Sequence, residues 1–355
     1  MSVAEQLRAW LPTQLPNAKD VRIEGLDRIE FGHSAEMMAL TIVAAEDRQD
    51  VVVRLRPRPP ALLEPYDLKR QFDILRALEH TPVRAPRALW LEDSGEVLGR
   101  PFFVMERVGG TVYEMETPDA APRHIRCMCE SMAEQLAAIH TVDLHATGLH
   151  ALGDGSNHLD RVIDHWADEM HRVQRGTLPA LERLLQGLKE TKPQPCPNIA
   201  LVHGDAKPGN FAFVGDEVSA VFDWEMTDVG DPLTDIGWME LLWIQPVGIT
   251  RHQAALSIDE FIDRYEALSG IKTQNRRWYR ALNAYKMAVI CLIGAMLFDE
   301  GASDDMKLVV AAGGTHLLTQ VGLAELGIEQ QLESGQVAIR EERIAEVQSR
   351  VAAPH

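Results

Sequence analysis

The feature that most restricts what this chain can fold into is the stretch LVHGDAKPGNFAFVGDEVSAVFDWE, from Leu201 to Glu225. It sets a histidine, a lysine, an amide and several acids between short apolar runs that read as buried strands. Ionisable groups so close to buried backbone must be paired, hydrogen-bonded or in chemical use, since an isolated buried charge is too costly to keep. Asp, Asn and Gly clusters also mark ordinary turns, so the spacing has to carry the argument. Asn210 follows Asp205 by five positions, and Asp223 follows Asn210 by thirteen.

The chain of 355 residues, 46% of them hydrophobic, is long enough for one large core or two modest ones, and two lobes are expected. With 35 basic against 53 acidic residues the formal charge is −18, which repels a nucleic-acid backbone and excludes that class of partner. Such a surface solubilises the chain, or steers cationic substrates. The opening MSVAEQLRAWLP lacks a basic start followed by an apolar run, so no secretory signal is expected. The run MAVICLIGAMLF, Met287 to Phe298, is too short to span a bilayer and reads as a buried helix, so no membrane partner is expected. Cys127, Cys129, Cys196 and Cys291 show no zinc spacing and no obvious pairing, which fits a reducing, cytoplasmic compartment.

The segments VRIEGLDRIEF, EMMALTIVAAE and DVVVRLR predict an antiparallel meander. After a proline-rich loop, Leu68, Phe72, Leu75 and Leu78 form one helical stripe. RALWLE and PFFVMERV add two strands before Gly109 and Gly110 break the pattern. Beyond them, helical periodicity covers the regions around 119–140, 158–190, 232–245, 251–268 and 273–298, interrupted by β pieces around 199–223. The expected class is α+β, with a small β-rich lobe over 1–108 and a larger helical lobe over 109–355. In the tail from Gln331 to Arg350 and just beyond, Val337, Ile344, Val347 and Val351 recur at helical spacing, so the tail is expected to dock on this subunit or on a second copy in a homodimer.

The layout His203-Gly204-Asp205, Asn210, then Asp223 in FDWE resembles the catalytic and metal-binding loops of the protein-kinase-like fold. The HGD and DWE forms are similar to those of the aminoglycoside phosphotransferase and choline kinase family, and the resemblance covers most of the chain. It implies a two-lobed fold and Mg²⁺-dependent transfer of a γ-phosphoryl group from ATP to the hydroxyl of a small molecule. Such transfer needs positioning and charge neutralisation, for which hard oxygen ligands suit magnesium. Asn210 and Asp223 are then the metal ligands, Asp205 the base that orients the acceptor and takes its proton, and Lys207 the cation on the γ-phosphate. Gly204 reads as a tight-turn residue and His203 as an internal hydrogen-bonding strut; Glu225 lies near the metals or faces solvent.

The β-rich lobe must then cradle the nucleotide. Alternation puts Val51, Val53 and Leu55 on one face of DVVVRLR and Val52, Arg54 and Arg56 on the other. Arg54 stands where protein kinases carry a lysine, and Val52 where a small apolar residue meets adenine; the arrangement resembles the branch related to the kinase-like domains of certain acyl-CoA dehydrogenases. Gln71 occupies the helix position that usually supplies a glutamate, and is expected to accept one hydrogen bond from Arg54 without balancing its charge. Gly32, His33 and Ser34 in the first hairpin are expected to offer donors to the phosphates, and the backbone of Met105, Glu106 and Arg107 to read the base. ATP is the default nucleotide, with GTP left open.

Asp231 before Pro232 predicts a helix start, and Asp235 in the first turn either braces the catalytic loop or meets the helix dipole. The following helix offers Trp238 and Trp243 and a single acid, Glu240, so a largely apolar or acyl-bearing alcohol is expected as acceptor, with Trp166 as a further wall residue. Two readings stand beside this one: an aminoglycoside or macrolide phosphotransferase, and a catalytically weak nucleotide-binding relative.

Overall fold

Alternating apolar residues early in the chain build an antiparallel sheet whose two faces have different neighbours. The computed structural model describes every residue except 16–19, 30–35, 45–46, 244–247, 330–338 and 353–355, together with the side chains of 351–352. Helix α1 (Val3–Gln14) is followed by β1 (Arg22–Ile29), β2 (Glu36–Ala44), β3 (Asp47–Leu55), α2 (Leu68–Leu78), β4 (Ala88–Glu92) and β5 (Phe102–Glu106). The strands form one sheet in the order β1-β2-β3-β5-β4, every pair antiparallel. Val51, Val53 and Leu55 face one side, where Leu7 and Leu11 of α1 cover them. Val52 faces the other side, with α2.

The covering helix α1 has no counterpart among the elements expected from sequence. Pro12 inside it obscures the periodicity, while the sign that was available is its start: the Ser2 hydroxyl accepts from the Glu5 amide and the Glu5 carboxylate accepts from the Ser2 amide.

The chain leaves the first sheet after Glu106 and enters a second one at β6 (Thr111–Val112). Then follow α3 (Pro122–His140), α4 (His158–Val173), α5 (Pro179–Glu190), β7 (Ala200–Val202), β8 (Phe211–Val214), β9 (Glu217–Val221), β10 (Asp228–Gly230), α6 (Leu233–Trp243), α7 (Ile258–Ser269), α8 (Arg276–Asp299), α9 (Met306–Ala312), α10 (Gly314–Glu325) and α11 (Glu341–Ala352). β6, β8 and β9 form a three-stranded sheet, and β7 pairs with β10. One apolar cluster runs from Val52 and Phe103 through α2 into the helical part.

Helix α8 is long and apolar enough to cross a membrane by length and composition, but 78% of its most apolar window is buried inside this fold. It is the central helix of the lower part, against which α4, α6 and α10 pack. At its end the tail helix α11 docks on its own chain: Val347 is 1% exposed and joins Phe298 and Leu308, with Ile344 beside them. The Arg343 guanidinium lies 5.3 Å from the centre of the Phe298 ring. Val337 lies outside the described residues, as does the side chain of Val351.

If α1 is a structural cover for the sheet, Leu7→Ala should cost about 2–5 kcal/mol, read as a lower midpoint in denaturant unfolding at unchanged slope.

Candidate active site

Strand register brings the polar motif together. Asp228 of β10 stands opposite Val202 of β7, and Phe211 of β8 opposite Val221 of β9. The loop carrying His203 to Asn210 and the segment from Phe222 to Thr227 therefore leave their strands at the same end, and the Phe222 amide donates to the Asn210 carbonyl at 2.8 Å. The fully buried His203 ring ties them again: Nδ1 accepts from the Asp205 amide at 3.2 Å while Nε2 meets the Phe222 carbonyl at 2.9 Å. Burial lowers its pKa, so it bridges as a neutral imidazole.

Gly204 has φ +84, and a Cβ there would lie 2.2 Å from the Met226 carbonyl oxygen, so the turn needs glycine twice over. Its amide and that of His203 donate to the two oxygens of Asp235, at 2.8 and 2.7 Å. His140 contacts Asp235 at 3.0 Å and is held by Tyr265 at 2.7 Å. Burial works against the charge on Asp235, but these partners hold its carboxyl below the ordinary range. Asp231 caps α6 through the Leu233 amide at 2.9 Å.

Asp205 is buried and its carboxylate is fixed on both sides. Trp238 Nε1 donates to Oδ1 at 2.8 Å, Asn210 Nδ2 donates to Oδ2 at 2.8 Å, and Lys207 Nζ lies 3.3 Å from Oδ2. The charge of Asp205, opposed by burial, raises the Lys207 pKa. Asp223 has φ +69, a left-handed conformation that turns the chain immediately after Phe222.

Arg54 closes the arrangement from the upper sheet. One Nη2 atom reaches Asp223 Oδ1 at 3.1 Å, Glu225 Oε2 at 3.0 Å and the Tyr66 hydroxyl at 3.1 Å. Burial opposes the charge, yet these neighbours raise its pKa and keep it cationic. This corrects the expectation for Gln71. The amide does not reach Arg54 but shares a hydrogen bond with the Tyr66 hydroxyl, and the charge is balanced by Asp223 and Glu225, which lies inside the site rather than in solvent.

Two cavities flank the Asp223–Glu225 segment. The first, of about 460 Å³, is lined by Met37, Val52, Leu75, Phe103 and Met105 of the upper part and by Phe222, with Arg54 and Asp223 also on its lining. Met105, Glu106 and Arg107 border it, but the amides of Glu106 and Arg107 donate to the Arg87 and Asp50 carbonyls at 2.9 and 3.0 Å, so those two donors are not available to a base as expected. Gly32, His33 and Ser34 lie outside the described residues. The second cavity, of about 470 Å³, is lined by Gly204, Glu225, Trp166 and the α8 residue Lys286.

Trp243 lines neither cavity. It packs against Phe261, with ring centres 4.8 Å apart and planes tilted 46°, and donates to the Leu256 carbonyl, which corrects its expected place in an acceptor wall. Trp238 is committed to Asp205, and Glu240 to Arg276 and Arg280. Tyr66 and Lys286 were not singled out from sequence. A lysine directly before the apolar run Met287 to Phe298 of α8 was the available sign for the second.

Residues 29–282 match the family model described as "Phosphotransferase enzyme family", which spans all of these loops. The chain belongs to that phosphotransferase family. It is 29% identical over 279 residues to mouse acyl-CoA dehydrogenase family member 10, covering 75% of this chain and 26% of that protein, and 30% identical over 289 residues to mouse member 11, covering 76% and 37%. The phosphotransferase thus spans roughly a quarter to a third of the length of these curated relatives. Among solved structures, a Ralstonia eutropha protein named as a candidate aminoglycoside phosphotransferase matches at TM-score 0.76 and 24% identity, covering 92% of this chain and 99% of that one. An aminoglycoside phosphotransferase solved with ADP and hygromycin B matches at TM-score 0.59 and 15% identity, over 92% and 100%. The fold is the two-lobed kinase-like one, with an antiparallel sheet above and helices below.

Asp235→Asn should cost about 3–5 kcal/mol at neutral pH, since it breaks a buried charged network. Because the folded pKa is depressed, the carboxylate's contribution is complete above its unfolded value of about 4 and is lost as pH falls through the folded value. The stability gap between wild type and variant, measured by urea titration across pH, should therefore narrow on acidification.

Proposed function

We propose that this phosphotransferase moves the γ-phosphoryl group of Mg-ATP to a hydroxyl of a small, largely apolar molecule, a hydroxyacyl compound being the preferred class. The observation that carries the reading is the placement of Asp205, Asn210 and Asp223 on loops that leave the β7–β10 and β8–β9 pairs at one end, with Asp223 lining an apolar cavity. Nucleotide binding there is supported by that cavity, and by neighbours of the same fold solved with ADP or AMP-PNP.

The donor set fits magnesium. Among the described residues nothing hydrogen-bonds to Asn210 Oδ1 or to the second oxygen of Asp223, so each keeps a hard oxygen to offer, and a cation bound there retains waters or phosphate oxygens for its other positions. When bound, such an ion neutralises charge on the phosphates. Asp205 is fixed by Trp238 and Asn210 in one orientation, ready to accept the proton of an incoming alcohol. Lys207 beside it supplies positive charge where the transferred group gathers negative charge. Arg54 holds Asp223 in its left-handed turn and joins it to the upper lobe.

The second cavity is the acceptor site in this reading, because Gly204 of the catalytic turn and Glu225 of the metal segment both border it. Leu62, Leu63, Val162, Trp166, Met226 and Leu282 give its wall an apolar part that can take an acyl chain. The names of the relatives, members of an acyl-CoA dehydrogenase family, support the same class. A nucleotide-binding regulator without turnover is the second reading, favoured by the hold of Arg54 on a metal-ligand candidate.

Asp205→Asn should lower phosphoryl transfer about 10²–10⁴-fold with nucleotide affinity kept, measured as product mass from a hydroxyacyl library incubated with Mg-ATP. Wild-type turnover that survives the substitution contradicts the role of Asp205, and wild-type binding without turnover favours the second reading.

A further inference from the structure

Six carboxylates line the second cavity, and each is already held: Glu64 accepts from the amides of Ala61 and Tyr66, and Asp67 from that of Arg70. Glu225 is held by Arg54 and Asp235 by His140 and two backbone amides. Glu169 pairs with Arg172. Asp228 is shared by Arg161 at 3.0 Å and Arg70 at 3.5 Å, two cations on one carboxylate.

Lys286 is the cation left over. It is only 7% exposed, and among the described residues no carboxylate lies within ion-pair distance of its ammonium. Its ammonium donates to the Gly204 carbonyl and sits 4.3 Å from the centre of the Trp238 ring and 5.9 Å from that of Trp166. An ammonium has three donors, so the contact with Gly204 leaves capacity for a ligand. Burial pushes its pKa down to about 8, with Asp205 and Asp235 opposing that shift and Lys207 adding to it. His165 also faces it from α4. A buried cation without a counter-ion is costly, and an oxyanion in the cavity would relieve that cost.

We propose that the acceptor carries an oxyanion, a carboxylate or a phosphate, that pairs with the Lys286 ammonium while Arg70 and Arg161 extend the positive side of the cavity. This rests on the reading of that cavity as the acceptor site and names the chemistry it selects. Lys286 is thereby a specificity residue: its contact with Gly204 places the bound anion next to the catalytic turn.

The test is calorimetric titration of the full chain, with ADP present, using decanoate, decyl phosphate, decanol and decylamine. The two anions should bind more tightly than decanol and decylamine, and whichever anion binds better identifies the source of the charge. Lys286→Met should weaken the anions about tenfold or more and leave decanol unchanged, while Lys286→Arg keeps most of the anion affinity. A bracing role through Gly204 alone would weaken all four ligands alike or none. Should Lys286→Met fail to fold, the half-exposed pair Arg70→Gln with Arg161→Gln carries the test, with the anions weakened and decanol unmoved. Equal binding of amine and anion, or anion affinity unmoved by these substitutions, overturns the proposal. Anion binding without Mg-ATP turnover overturns the transfer reading alone; turnover of neutral alcohols without anion preference overturns this one alone.

Discussion

The Asp235 carboxylate accepts from the amides of His203 and Gly204, and His140 with Tyr265 behind it holds the carboxylate in place. From there the order passes through the His203 ring to the Asp205 amide and the Phe222 carbonyl, so one buried chain of hydrogen bonds sets both the His203–Asn210 loop and the Phe222–Thr227 segment. Burial makes the network strong, because in a low-dielectric interior a missing partner costs more than the bond itself returns. It also explains why the polar residues of the opening motif can stand among buried strands.

Arg54 links this lower network to the upper sheet. Its Nη2 reaches Asp223, Glu225 and Tyr66, and its Nε makes a second contact to the Tyr66 hydroxyl, which a lysine ammonium would lack. The neutral Gln71 follows from the same geometry. A glutamate at that position would bring a third carboxylate to one buried cation, and the amide instead supports Tyr66. The two departures seen in the sequence are thus one arrangement: the charge balance has moved from α2 to the metal segment.

The parts legible in the sequence were those whose signals are local. Alternation in DVVVRLR sorted Val51, Val53 and Leu55 from Val52, and the apolar stripe of α2 placed that helix. The spacing of Asp205, Asn210 and Asp223 set two loops side by side because the strands between them are short and hairpin-linked. What escaped depends on contacts far apart along the chain. Arg54 and Asp223 are separated by 169 positions, and no periodicity announces such a pair. Trp238 and Trp243 look alike in IGWMELLW, yet their five-residue spacing sets them about 140° apart around the helix, which sends the second to the α7 interface and the first to Asp205. The amides of Glu106 and Arg107 are taken by the carbonyls of Arg87, just before β4, and of Asp50 in β3, pairings that no local pattern announces.

The central claim is that Asp205, Asn210 and Asp223 serve one crevice with a nucleotide on one side of the Asp223–Glu225 segment and the acceptor on the other. The most direct measurement is a crystal structure of the chain with Mg²⁺ and a non-hydrolysable ATP analogue. The account predicts the base between Val52 and Phe222, the ion on Asn210 and Asp223, and the terminal phosphate beside Lys207 and facing Asp205. A nucleotide seated against Trp166 and Lys286, or an ion that touches neither Asn210 nor Asp223, would contradict it.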